Sequence, residues 1–328
     1  QTKASPPNLL LLNYLRNKST QGGGQIFNRN FSAITYYFGY DAAHSGGVKR
    51  GRIFMAHAAF ATTTRGLRRD LAPMKLFEKA KRLGIWNPSE FDFTKDQEDW
   101  KRLKDDERAV LAHLSSVFQA GEEAVTLDLL PLIAAIARDG HIEEEIYLTS
   151  FLWEEAKHVD FFQRFLSEVA GVNGDQSHLH GPNYRFLFYE TLPATMNALM
   201  TDSSPAALAK ASATYNMVIE GMLAETGYHA YFNVCDKFDI LPTQRMGITH
   251  TKQDEARHIA YGVYLLSRLM AEDPDLFDVV ESTMNELLAP ALGIIEETLG
   301  SYNPIPFGLT VADFTDFALC QFQKRFDR

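Results

Sequence analysis

From residue 71 onward, apolar residues recur at helical spacing, and no stretch shows the strict alternation of a half-buried strand. Met74–Ala80 predicts a short helix ending near Gly84, followed by an extended lead-in, Ile85–Phe93. Pro88 keeps the residue before it out of the helical region. From about Asp105 the positions Val110, Leu111, Leu114, Val117 and Phe118 mark a long helix that continues through Leu130. A second long helix is expected from near His141 to about Val169, then a loop over Gly171–Asn183 and a helix over Thr191–Met200. Ser204-Pro205 is a cap and first-turn signal for a third long helix, Ser204–Ala230. A fourth runs from about Thr243 to Met270, and two more cover Pro274–Leu299 and Val311–Phe326. The expected fold is all-α.

Composition narrows this picture. With 328 residues, 45% of them hydrophobic, the chain can fill one sizeable core. No uninterrupted apolar run reaches the length of a membrane span. The only cysteines, Cys235 and Cys320, lie in no CxxC, which fits a reducing, cytoplasmic setting and argues against thiolate zinc. Residues 1–70 hold ten basic residues against Asp41 and Asp70, leaving 22 basic and 40 acidic residues for 71–328. A basic arm can mean nucleic-acid or membrane contact. The plainer expectation is a poorly ordered extension over 1–70 ahead of one domain, 71–328, with no nucleic-acid partner. Gln1–Phe54 precedes the first methionine, Met55, and is expected to lie outside the natural product.

The chemistry is carried by a repeat. Glu154-Glu155-Ala156-Lys157-His158 returns as Asp254-Glu255-Ala256-Arg257-His258, so each helix presents Glu-x-x-His on one face. A single such pair is weak evidence for metal. Two of them, each paired with a core carboxylate one helix earlier (Glu122 and Glu220), make the Glu, ExxH, Glu, ExxH order of a carboxylate-bridged dinuclear site in a four-helix bundle. Four carboxylates in one core repel and are costly to desolvate, and two divalent cations cancel them. Oxygen-rich ligands with one imidazole each suit iron or manganese. Glu123 and Glu154 point about 100° from the ligand face and are not expected to bind metal. Asp254 is expected to accept a hydrogen bond from a ligand histidine. Glu143–Glu145 read as a solvated first-turn cluster, and His178 and His180 as loop residues without a metal.

From Leu71 onward the sequence resembles the ribonucleotide reductase small-subunit superfamily, and more closely its ligand-binding oxidase branch. The most specific stretches are Trp86-Asn87-Pro88-x-x-Phe91-Asp92-Phe93, Gly121–Asp128, Glu154–His158, Glu220–Tyr228 and Lys252–His258. The resemblance implies a ferritin-like bundle with additional helices, acting as a homodimer. It places one metal on Glu122, Glu155 and His158 and the other on Glu220, Glu255 and His258. It implies a manganese/iron cofactor, with di-iron as the variant, and reaction with O2. It further implies an ether cross-link between Val125 and Tyr215, and a long-chain fatty acid in a tunnel with its carboxylate on the metals. Trp86 and Asp254 match a Trp–Asp relay pair. Phe162 stands where most reductase subunits carry a radical tyrosine.

The expected function is an O2-activating oxidase acting on C–H bonds of a lipid-like ligand. The competitors are a reductase small subunit, which needs a large-subunit partner, and a non-enzymatic metal-binding bundle. The chain stops at Arg328 inside an apparent helix, without a reductase-type tail.

Overall fold

The computed structural model describes residues 59–328, so the expectations for Gln1–Phe54 fall outside the described residues. The compact unit is Arg65–Arg328. Within it, nine helices are labelled here in chain order. They are α1 (Ala72–Leu83), α2 (Thr94–Arg102), α3 (Asp105–Arg138), α4 (142–169), α5 (182–198), α6 (205–238), α7 (Pro242–Glu272), α8 (Leu276–Leu299) and α9 (Val311–Phe326). No strand occurs among the described residues. The expected all-α, ferritin-like bundle is what forms.

The four long helices α3, α4, α6 and α7 form the bundle. α3 packs along α4, while α7 packs on α6 and α1. α8 and α9 close over the middle of α6, and α1 lies against α4. Three of these helices depart from α geometry. α4 ends in a π segment, Phe165–Val169, α5 contains one, Phe186–Thr191, and α6 contains the longest, Ala213–Ala224. The last is buried almost throughout and carries Tyr215 and Glu220.

Local chemistry sets the helix ends. Ser204 Oγ accepts from Ala207 N with Pro205 behind it, and Thr310 Oγ1 accepts from Asp313 N at 3.2 Å. The turn from α6 into α7 uses left-handed Asp239 (φ 52°) and Leu241 (φ 53°). It is held from α2: Asp96 accepts from Thr243 N at 2.9 Å and Gln244 N at 2.7 Å, and Asp99 accepts from Leu241 N. Two orphan amides at the start of α7 are thus satisfied by a buried carboxylate. Glu297 of α8 does the same for α5, accepting from Asn183 N at 2.7 Å and Tyr184 N at 3.2 Å.

Some expectations need correction. The sequence pattern assigns no helix to α2 or to residues 184–190, and it places Pro182 and Asn183 in a loop, whereas all of these are helical. α2 is charged, and its only buried residues are Asp96, Asp99 and Trp100, so it offers no apolar stripe to detect. The third long helix runs on past Ala230 to Phe238. Glu143 and Glu144 are not solvated. Glu143 is buried and takes Arg65 and Arg68, which hold its carboxyl down at about 2, and Glu144 is buried beneath Tyr261 and Arg268.

Candidate metal centre

Glu122 comes from α3, Glu155 and His158 from α4, Glu220 from α6, and Glu255 and His258 from α7. All six are buried. They meet as two overlapping groups, Glu122/Glu155/His158/Glu255 and Glu155/Glu220/Glu255/His258. Glu155 and Glu255 belong to both. Glu155 Oε2 lies 3.4 Å from His158 Nδ1 and Oε1 lies 3.2 Å from His258 Nδ1. Glu255 approaches the same two nitrogens at 3.5 Å each. Glu122 faces only His158 (3.4 Å) and Glu220 only His258 (3.6 Å). Two carboxylates thus face both imidazoles and two face one imidazole each, a set that could hold two cations.

The donor set fits two cations. His158 Nδ1, His258 Nδ1, Glu155 Oε2, Glu220 Oε1 and Glu255 Oε2 are buried without a hydrogen-bond partner, and all five converge on one space. Buried polar atoms rarely stay unpaired. Burial pushes the carboxyls of Glu122 and Glu255 up to about 8 and that of Glu220 up to about 7. Both imidazoles are held well above their ordinary value: burial opposes their charge, but the facing carboxylates outweigh it. Without metal, protons must do the work of cations here.

Each histidine's other nitrogen is already committed. His158 Nε2 lies 3.3 Å from Asp254 Oδ2, and His258 Nε2 lies 2.9 Å from Glu154 Oε2. The acid before each Glu-x-x-His therefore orients the histidine of the other helix, leaving both Nδ1 atoms free for ligation. The offset that keeps Glu154 off the ligand face turns it toward Arg257 (2.5 Å) and His258. Sequence reasoning gave this role to Asp254 alone. The repeat itself held the missing signal, because Glu154 stands where Asp254 stands. Arg257 also pairs with Asp254, and Lys157 binds Asp254 Oδ2 at 3.2 Å.

Trp86 Nε1 donates to Asp254 Oδ2 at 2.8 Å, so Trp86, Asp254 and His158 form one chain. Tyr215 is fully buried and its hydroxyl donates to Glu155 Oε1 at 3.0 Å. Glu220 Oε2 accepts from Asn216 Nδ2 (2.8 Å), whose Oδ1 accepts from Ser212 Oγ (3.0 Å). Phe162 stacks on Phe118 at 4.9 Å in the core. His180 Nδ1 pairs with Tyr189 OH at 2.8 Å, and neither His178 nor His180 joins a carboxylate cluster. An apolar cavity of about 120 Å³ reaches the site. Val125, Ile219 and Phe314 line it, and Glu122, Glu220 and Glu255 form its polar end.

An all-α bundle whose four core helices contribute Glu, Glu-x-x-His, Glu and Glu-x-x-His is a dinuclear carboxylate protein of the ferritin-like class. Residues 74–319 match the family described as "Ribonucleotide reductase, small chain", and the chain belongs to that family. Among solved structures it is similar to an R2-like ligand-binding oxidase with aerobically reconstituted Mn/Fe cofactor. Identity is 35%, the TM-score 0.80, and the match covers 83% of this chain and 98% of that one. A glycine-to-leucine variant with anaerobically reconstituted Mn/Fe cofactor matches at 36% identity and TM-score 0.80, with the same coverage. The chain is an oxidoreductase of this ligand-binding oxidase branch.

Proposed function

We propose that this chain is an O2-activating manganese/iron oxidase that acts on C–H bonds, first of its own Val125 and then of a bound lipid-like ligand. Glu122, Glu155 and His158 would hold the first metal, manganese, and Glu220, Glu255 and His258 would hold the second, iron. The observation that carries the reading is the convergence of five unpartnered buried ligand atoms beside an apolar cavity whose lining includes Glu122, Glu220 and Glu255. When bound, the metal pair supplies the reduction of O2 and the oxidising power for C–H cleavage.

The chain's own residues supply orientation, exclusion of water and proton handling. Asp254 and Glu154 fix the imidazoles. Tyr215 already donates to Glu155, so the proton it would lose on joining Val125 has an acceptor in place. Val125 lines the cavity with Glu122, one helical turn along the same face of α3. The apolar walls favour an acyl chain, and a carboxylate head is the ligand group that two cations at the polar end would hold. A reductase small subunit would instead deliver a radical to a partner; Phe162 offers no hydroxyl for a stable radical at its place.

The test is peptide mass spectrometry on protein loaded anaerobically with manganese and iron and then exposed to air. The expected result is a joined pair of peptides, holding Val125 and Tyr215, lighter by two hydrogens. Separate peptides on a chain carrying two metals would instead favour the reductase subunit, and a large-subunit binding assay would follow.

A further inference from the structure

The two ligand histidines lead outward in different ways. His158 runs through Asp254 to the single indole of Trp86. His258 begins a ladder of aromatic rings along the seam of α4 and α7. Its imidazole stacks on Phe151 with centroids 3.6 Å apart and planes 10° apart. Phe151 is 5.8 Å from Tyr215 and 6.1 Å from Tyr147. Tyr147 is 5.3 Å from Tyr261, and Tyr261 is 6.4 Å from Tyr264, which is partly exposed. Tyr147 and Tyr261 are fully buried, and neither enters the chemistry above. Tyrosines are expensive to bury, and a packing role alone asks only for phenylalanine.

Their hydroxyls are unequal. Tyr147 OH has no partner. Tyr261 OH donates to Glu144 Oε2 at 3.0 Å. Glu144 is buried and faces Arg268 (3.0 Å) and His141 (3.5 Å), so its carboxylate lies beside a fixed cation. A tyrosine that loses an electron becomes strongly acidic and is stabilised when a base takes its proton. Tyr147 has no base, Tyr261 has one, and Tyr264 reaches solvent. The energetic slope for an electron vacancy therefore runs outward.

We propose that Tyr147, Tyr261 and Tyr264, with Glu144 as proton acceptor, form an escape route that drains oxidising equivalents from the metal site when no ligand C–H bond is available. The proposal rests on the oxidase reading above. In each transfer the oxidised metal pair gains one electron and Tyr261 loses one, with Tyr147 crossed in passage. The phenolic proton of Tyr261 moves to Glu144 Oε2. Tyr261 then takes an electron from Tyr264 and recovers its proton from Glu144, while Tyr264 releases its own proton to solvent. A small one-electron reductant such as ascorbate, donating an electron and a proton, restores Tyr264.

The experiment exposes ligand-free, two-metal protein to repeated cycles of ascorbate and O2, then omits ascorbate in the last cycle. Freeze-quench EPR reads tyrosyl radical, and peptide mass spectrometry reads oxidised tyrosine at 261 and 264. The wild-type chain is expected to show both. Tyr147→Phe and Tyr261→Phe, which keep the rings, are expected to lower oxidation at Tyr264 at least tenfold and shift damage to residues around the metals. Glu144→Gln is expected to lower the Tyr261 radical yield while leaving metal content at two per chain. Unmodified Tyr261 and Tyr264 in a wild-type chain that holds two metals overturn the route, as does unchanged Tyr264 oxidation in both Phe variants. A wild-type chain that binds no metal overturns the oxidase reading and the route with it.

Discussion

Histidine ligands are decided by their far nitrogen. In this site His258 Nε2 is held by Glu154 and His158 Nε2 by Asp254, so each Nδ1 is presented to the carboxylate cluster. Glu154→Gln keeps an acceptor but removes the charge that raises the basicity of His258. Metal titration is expected to show the His258-side site weakened by ~10–100-fold, with the His158-side site retained; equal weakening of both would sink the crossed pairing. The titration behaviour of the same cluster yields a second prediction. Glu122 and Glu255 are raised to about 8 and Glu220 to about 7, and both histidines are raised too. The folded metal-free chain thus holds protons that the unfolded chain releases, so its stability falls as pH rises from about 4.5 to about 8. Metal-loaded protein has already lost those protons. Its Tm advantage over metal-free protein is therefore expected to widen from about pH 6 to about pH 8.5, which calorimetry at matched ionic strength can check. A constant gap would mean that protons do not occupy the empty site.

At the scale of elements, legibility followed apolar periodicity. The long helices were readable because Val110, Leu111, Leu114 and their counterparts form stripes, and because Ser204-Pro205 announces its helix. α2 was not readable, since nine residues with six charges bury little beyond Trp100 and two acids. Those acids are what the element is for: Asp96 caps α7, the helix that carries Glu255 and His258. Asp96→Ala is expected to cost about 2 kcal/mol by urea denaturation, the upper range for losing a helix cap, and to reduce metal occupancy at both sites. No sequence signal shows the π segment of α6 either. Its i→i+5 geometry rotates each residue through less than the ~100° of an α-helix, so Tyr215, five positions before Glu220, comes nearer the ligand face than α spacing allows, and its hydroxyl reaches Glu155. The pairing of Tyr215 with the site came from resemblance, and helical geometry alone would have rejected it.

Across the whole molecule, charge and shape divide between inner and outer layers. Glu154 and Asp254 are offset by Arg257 and Lys157, so the outer acids are balanced without metal. The inner four carboxylates are not, and their balance requires two divalent cations. A storage bundle has no need for that equality, and elemental analysis is expected to find two metals per chain and no larger iron load. Shape imposes the last constraint. The cavity is built from α3, α5, α6, α7, α8 and α9 together, so it exists only once the outer helices have closed over the bundle. Ala224 lies on its wall, on α6, and is not one of the clustered carboxylate and histidine residues. Ala224→Phe would fill much of the roughly 120 Å³ available while leaving the carboxylates in place. If the cavity seats an acyl ligand, lipid extracted from the purified variant should fall at least tenfold against wild type while metal content stays at two. Retained lipid would mean the ligand sits elsewhere, and joint loss of lipid and metals would mean that the cavity wall and the metal site stand or fall as one structure.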